Sequence, residues 1–124
     1  MNKTDPKLTA LQFNEYINRQ DVNRLSNMMT ENHEFIDRAG GGVKGKKEMT
    51  PGWIRFFKDH PEYTNTFKRV ESKGNLVTLY GYATWEIGDD PDYSIWTAMV
   101  ENDLVAEWRI YENTVENRKK FNLI

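Results

Sequence analysis

The stretch LVTLYGYATWEIGDDPDYSIWTAMVENDLVAEWRIYE, residues 76–112, decides the fold of this 124-residue chain. Apolar and aromatic residues alternate with polar ones along it, which is typical of strands that bury one face. Turn-forming residues interrupt the alternation at 88–92 and at 102–103. Together with a run that ends before Gly74-Asn75, the chain has four predicted strands, at 62–72, 76–87, 94–100 and 104–112. We expect them to form one antiparallel meander.

Helical spacing replaces this alternation in the first half of the chain. Thr4-Asp5-Pro6 combines a capping side chain with a proline in the first turn of a helix. The apolar residues that follow recur at helical spacing: Leu8, Leu11, Phe13, Tyr16 and Ile17. Asp21 is the predicted N-cap of a second helix. Thr50-Pro51 is predicted to begin a third, amphipathic helix that ends at His60.

One strand, 33–37, is predicted between the second and third helices, and residues 115–124 are predicted to form a helical turn or an ordered arm. Because the helices precede most of the sheet, this order predicts an α+β fold and not a doubly wound parallel one. The length of the chain, without linker-like or repeated segments, predicts a single domain over 1–124.

The composition excludes several classes of protein. No cysteine is present, which excludes disulfides, thiolate metal sites and cysteine nucleophiles and favours a reducing compartment. A net charge of −2 at pH 7 argues against nucleic acid as the partner. No apolar run is long enough to cross a membrane or to act as a secretion signal. We therefore expect a cytoplasmic protein without a membrane partner.

Two local patterns are weak evidence for a cofactor or metal site. Residues 40–46 read G-x-x-x-x-G-K, but Lys47 stands where a nucleotide-binding loop needs a hydroxyl for magnesium. His33 and His60 do not have the spacing of a helical metal pair. No cofactor and no metal is therefore predicted. The acids Asp89, Asp90 and Asp92 are interpreted as the solvated end of an element.

Asp37 carries the strongest chemical signal. The alternation places it on the same face as Phe35 and His33, at the end of a strand and beside a glycine turn. A buried carboxylate there would act as a general base, with His33 to orient it. In the alternative interpretation, Asp37 accepts backbone hydrogen bonds from residues 39–41 and shapes the turn. The spacing alone leaves both interpretations open.

Four tryptophans are many for a chain of this length: Trp53, Trp85, Trp96 and Trp108. Each fills the core or forms the wall of a cavity, and the core is the default for most of them. Trp96 and Trp108 lie in the middle of predicted strands, with small or aliphatic residues on their own faces. A large ring beside small side chains can form the apolar wall of a pocket.

Four features of the sequence carry a family resemblance: residues 16–25, the strand that ends at Asp37, Gly45 before the next helix, and residues 104–111. Through them the chain resembles the nuclear transport factor 2-like superfamily, in particular its SnoaL-like polyketide cyclase and ketosteroid isomerase branch. The resemblance implies a cone-shaped, curved antiparallel or mixed sheet wrapped around three N-terminal helices. It also implies a deep apolar pocket and a homodimer, and the outer strand positions Tyr80, Tyr82 and Tyr111 agree with a dimer.

The resemblance also implies roles for individual residues. Asp37 falls at the position of the general base of ketosteroid isomerases. Phe13 and Trp96 fall where those enzymes carry oxyanion donors, and only the indole of Trp96 can donate. Trp108-Arg109-Ile110-Tyr111 resembles the W-R-D-Y strand of limonene epoxide hydrolases, but Ile110 replaces the catalytic aspartate. Steroid isomerisation is disfavoured because Phe13 cannot donate a hydrogen bond. Epoxide hydrolysis is disfavoured because Ile110 cannot relay a proton.

The sequence thus predicts a protein that binds a small apolar carbonyl compound. The predicted pocket residues are Phe13, Phe35, Trp53, Trp108 and Ile110. Asp37 would abstract a proton, His33 would position it, and Trp96 would stabilise the enolate during an isomerisation or cyclisation. The alternative is a non-catalytic ligand-binding or dimeric scaffold module.

Overall fold

The computed structural model describes residues 5–124, so Thr4 of the predicted cap lies outside the described residues. The helices are α1 (Pro6–Arg19), α2 (Val22–Asn27), α3 (Lys46–Asp59) and α4 (Val115–Lys120). The strands are β1 (Met29–Ile36), β2 (Gly42–Lys44), β3 (Thr64–Lys73), β4 (Leu76–Thr84), β5 (Asp92–Glu101) and β6 (Leu104–Glu112). None of the described helices has the length and apolar character needed to cross a membrane.

Helix α1 begins as predicted but buries a different face. The carboxylate of Asp5 caps its first turn. Phe13 and Ile17 are buried, whereas Leu8 and Leu11 of the predicted stripe are exposed. Both leucines lie roughly opposite Phe13 around a helix with about 3.6 residues per turn. The predicted stripe was therefore correct for its second half and wrong for its first.

The second and third helices differ in how well their starts were predicted. Asp21 caps α2, as expected, by accepting a hydrogen bond from the backbone of Arg24 at 3.2 Å. The prediction that Thr50-Pro51 begins α3 is wrong, since α3 starts one turn earlier, after Gly45. Gly45 has φ of 102°, a conformation that glycine adopts without strain. The Thr50 hydroxyl instead donates to the carbonyl of Lys46 within the helix.

The six strands form one mixed sheet in the order β2-β1-β6-β5-β4-β3. The predicted meander β3 to β6 is confirmed as antiparallel throughout. β1 starts four residues earlier than predicted and pairs in parallel with β6. The predicted 76–87 strand ends at Thr84, and the short edge strand β2 was missed because it lies in the glycine-rich turn.

The three N-terminal helices cover one face of the curved sheet. Helix α1 contacts β3 to β6, α3 contacts β1 and β2, and α2 lies between the two helices. The core between them contains the largest fully buried side chains, Trp96 and Trp108. The expected α+β cone, a mixed sheet around three N-terminal helices, is confirmed.

A bulge in β3 curves this sheet. The pairing of β3 with β4 shifts register between Phe67 and Arg69, and Gly81 of β4 lies opposite the shift. A Cβ atom at Gly81 would overlap the carbonyl oxygen of Thr66 and lie 2.8 Å from the Cα of Phe67. The glycine therefore permits a close approach of two backbones, and the bulge increases the local bend.

Candidate functional site

A cavity of about 400 Å³ lies between α3 and the inner face of the sheet. This volume is within the range of roughly 300–1,000 Å³ that small-molecule sites occupy. Six of the predicted pocket and site residues line it: Phe35, Asp37, Trp53, Trp96, Trp108 and Ile110. The structure therefore brings together side chains from β1, α3, β5 and β6 at one place.

The strand register explains why these side chains share a face. Trp96 of β5 lies opposite Ile110 of β6, and Phe35 of β1 lies opposite Trp108 of β6. Residues directly across a ladder point to the same side of the sheet. A shift of one residue would have turned Arg109 inward in place of Trp108. Strand pairing thus builds the apolar wall.

Phe13 does not belong to the cavity lining. It is completely buried, and its ring centroid lies 4.9 Å from that of Trp108 and 5.7 Å from that of His33. It packs on Trp108 from helix α1. Its contribution to the pocket is therefore support of the Trp108 ring, not contact with a ligand.

His33 is buried next to Phe13 and is not brought to Asp37. Its Nδ1 lies 2.6 Å from the carbonyl oxygen of Val105, so Nδ1 carries the proton and donates this hydrogen bond. Four residues along a strand span about 13 Å, which leaves His33 out of reach of Asp37. Burial lowers the pKa of His33, although the Val105 carbonyl and the charge of Glu34 oppose the shift. The ring is a neutral core group near pH 7.

Trp96 and Trp53 each hold an unpaired indole N–H. Both side chains line the cavity, and neither Nε1 atom has an acceptor among residues 5–124. Both nitrogens are shielded from solvent in the described structure. A buried N–H without an acceptor costs about 1–3 kcal/mol, so an oxygen atom that reached either group would be stabilised there.

Asp37 lies at the open end of the cavity and is exposed to solvent. Its Oδ1 accepts hydrogen bonds from the backbone N–H groups of Ala39 at 3.0 Å and Gly41 at 2.9 Å. These are the turn-shaping bonds of the alternative interpretation. Oδ2 accepts no hydrogen bond from residues 5–124, so one oxygen of a cavity-lining carboxylate is available to a ligand.

The sequence did not reveal a polar cluster at the same opening. Arg38 Nη2 lies 2.8 Å from Asp92 Oδ2, Arg38 Nη1 lies 3.3 Å from Asp92 Oδ1, and Trp85 Nε1 donates to Asp92 Oδ2 at 3.2 Å. Burial alone would raise the pKa of Asp92, but the bonds from Arg38 and Trp85 and the charge of Arg38 together hold it below its ordinary value. Asp92 is thus a paired residue and not the solvated acid that was predicted.

Nothing in the sequence pattern pointed to this cluster. Arg38 and Asp92 are 54 positions apart, and neither is part of a recognisable motif. Tyr63 also lines the opening, and burial raises the pKa of its hydroxyl, which therefore stays protonated. Within residues 5–124, no three histidine, cysteine, aspartate or glutamate side chains converge on a position for a metal ion.

Comparison with known proteins places the chain in a family. A profile of the SnoaL-like domain matches residues 10–113. No curated protein matches the sequence significantly. A candidate SnoaL-like polyketide cyclase from Shewanella putrefaciens superposes with a TM-score of 0.78 at 14% identity, over 96% of this chain and 86% of that one.

Two further solved structures have the same fold. An LEH-like epoxide hydrolase from M. tuberculosis superposes with a TM-score of 0.79 at 14% identity, over 98% of this chain and 91% of that one. A nuclear transport factor 2-like protein of unknown function from Cytophaga hutchinsonii has a TM-score of 0.73 at 13% identity, over 97% of both chains. These structures establish the nuclear transport factor 2-like fold. Because the domain profile spans most of the sequence, the chain belongs to the SnoaL-like domain family.

Proposed function

We propose that this protein binds a small, largely apolar molecule in the cavity between α3 and the sheet. The observation that supports this function is the cavity itself, about 400 Å³ in volume and walled by Phe35, Trp53, Trp96, Trp108 and Ile110. Interiors normally pack without voids of this size, so such a cavity supports the proposal of a ligand site.

Filling the cavity is expected to lower the affinity for a ligand. Ala83 is 3% exposed and lines the cavity, so Ala83→Phe places a ring where the ligand would lie. We expect the affinity for 1-naphthalenemethanol, measured by equilibrium dialysis, to fall at least tenfold, which is about 1.4 kcal/mol. Met99→Phe, which adds a ring at a position outside the cavity, is the control. Near-ultraviolet circular dichroism shows whether both variants are folded, and equal binding by the two variants would contradict the proposal.

Catalysis by Asp37 is the second candidate function. The free Oδ2 of Asp37 at the cavity opening favours it, because a carboxylate oxygen that faces a bound carbonyl compound can take its α-proton. Isomerisation or cyclisation without a cofactor would follow, and the Trp96 ring would have to turn its buried N–H into the cavity to hold the enolate oxygen. Such chemistry agrees with the cyclase name of one solved relative. His33, buried and bonded to Val105, has no part in this proposal.

A homodimer is the expected assembly. Tyr80, Tyr82 and Tyr93 pack against one another on the sheet face opposite the cavity, with ring centroids 5.3–5.8 Å apart in the two pairs that involve Tyr93. Aromatic residues are enriched where subunits meet, and symmetric dimers are the most common oligomers. Sedimentation velocity at micromolar concentration should give twice the chain mass of 14.6 kDa. A single species at the chain mass would refute the dimer.

A cytoplasmic location remains a prediction from the sequence.

A further inference from the structure

The charges of the cavity lining are confined to its opening. Among residues 5–124, three charged side chains line the cavity: Asp37, Arg38 and Asp92. Asp37 and Arg38 are exposed and Asp92 is half-buried, whereas Trp96 and Trp108 of the apolar wall are each only 1% exposed. The cavity therefore has an apolar interior and a charged rim, and the rim carries two carboxylates and one guanidinium.

The cationic side chain of this rim, Arg38, is already paired with a carboxylate. Arg38 and Asp92 form a bidentate pair at 2.8 and 3.3 Å, the geometry in which a guanidinium binds a carboxylate most strongly. Trp85 adds a third donor to Asp92. An anionic ligand would have to compete with Asp92 for the charge of Arg38. The pair contributes almost no net charge to the opening.

Asp37 is then the uncompensated charge. Its Oδ1 is held by the N–H groups of Ala39 and Gly41, which fixes the orientation of the carboxylate. Oδ2 receives no hydrogen bond from residues 5–124. One negative charge with a free oxygen thus remains at the mouth of an apolar cavity.

Aromatic rings line the same cavity. Trp53, Phe56, Tyr63 and Trp85 all line the cavity and form a continuous cluster. The ring centroids of Trp53 and Phe56 lie 5.7 Å apart, those of Phe56 and Tyr63 4.9 Å, and those of Tyr63 and Trp85 4.7 Å. The faces of such rings are electronegative and attract cations. Two independent features of the cavity lining therefore favour positive charge.

We propose that the cavity selects an apolar molecule that carries a protonated amine, with the apolar body against Trp96 and Trp108 and the ammonium at the rim beside Asp37 Oδ2. This inference rests on the proposed binding function and narrows its ligand class. An ammonium group gains an ion pair with Asp37 and contact with the aromatic cluster. A neutral alcohol of the same shape gains neither, and a carboxylate is repelled by Asp37.

Three probes of one shape test the selection: 1-naphthylmethylamine, 1-naphthalenemethanol and 1-naphthoic acid, at pH 7 in equilibrium dialysis. We expect the amine to bind about three- to fivefold more tightly than the alcohol, the range of an exposed ion pair, and the acid to bind more weakly than the alcohol. In Asp37→Asn the amine-to-alcohol ratio should fall, and only the contact with the aromatic cluster should keep it above one. In Arg38→Gln, which leaves Asp92 without its counter-ion, the ratio should rise. Asp89→Asn controls for the overall charge, since Asp89 is exposed and lies outside the cavity lining.

The outcomes separate the inference from the binding function. An amine-to-alcohol ratio of one or less in the natural chain, or a ratio unchanged by Asp37→Asn, would overturn the amine selection and leave the binding function intact. An equal loss of the ratio in Asp89→Asn would also overturn it, because net charge would then be the cause. If no probe binds better than it does to Ala83→Phe, both the binding function and the inference fail.

Discussion

Replacing Gly81 by alanine is expected to destabilise the protein by about 3 kcal/mol, because the new methyl group has no room between β4 and the bulge of β3. The carbonyl oxygen of Thr66 and the Cα of Phe67, which a Cβ at Gly81 would meet, are backbone atoms. No side-chain rotation can relieve the overlap. The two strands must separate, and the hydrogen bonds and packing around Phe67 weaken with them.

Urea denaturation followed by circular dichroism measures this effect as a shift of the midpoint at constant slope. Gly52→Ala is the matched control, since a Cβ at Gly52 of helix α3 meets no atom within 4 Å. That change should stabilise the protein by about 0.5–1 kcal/mol, because alanine is a better helix former than glycine. Equal midpoints for Gly81→Ala and the natural chain would mean that the bulge adjusts without cost.

The local features of the fold were predictable because they depend on neighbours in the sequence. The alternation across 76–112 gave the three strands, and Asp5 and Asp21 marked two helix starts that the structure confirms. The start of α3 was not predictable in the same way. Proline is favoured in a first turn, but Pro51 lies in the second turn of α3, where a preceding glycine and not a capping side chain begins the helix.

The side chains of the cavity wall could be predicted only from the alternation along each strand together with the pairing between strands. Period-two alternation placed Trp108 and Ile110 on one face, and the register then set Trp96 and Phe35 opposite them. Phe13 follows the same apolar pattern, yet it packs behind Trp108, since helix α1 approaches the sheet from a direction that the sequence does not specify. An apolar pattern identifies buried residues, but it does not distinguish a wall from its support.

The polar rim could not be predicted because its members meet only in three dimensions. Arg38 lies in the turn after β1 and Asp92 is the first residue of β5, so their pairing depends on how far these two strands extend. Trp85 was placed in a strand, whereas it follows the end of β4 and turns its N–H to Asp92. The run of acids at 89–92 was interpreted as solvated, although Asp92 pairs with Arg38, which lies 54 positions away in the sequence.

Asp37→Asn is the substitution with the largest expected effect on a reaction. Loss of a general base typically reduces turnover about 100- to 10,000-fold. Asparagine keeps an oxygen that accepts the bonds from Ala39 and Gly41, so the turn is preserved while the proton acceptor is removed. We expect exchange of the α-protons of 2-tetralone with deuterated water, followed by NMR, to be faster with the natural chain than in buffer, and to fall at least 100-fold in Asp37→Asn.

The kinetic parameter that Asp37→Asn changes distinguishes a base from a binding group. A base acts on the chemical step, so Asp37→Asn should lower kcat much more than it changes KM, whereas a group that only holds the ligand would mainly raise KM. Asp89→Asn, exposed and outside the cavity, should keep the natural rate. If the natural chain does not accelerate the exchange, Asp37 is not a base for this ketone. Its two backbone hydrogen bonds and free Oδ2 then fit the alternative in which the cavity binds a ligand without transforming it, and Asp37 fixes the turn and the charge at its opening.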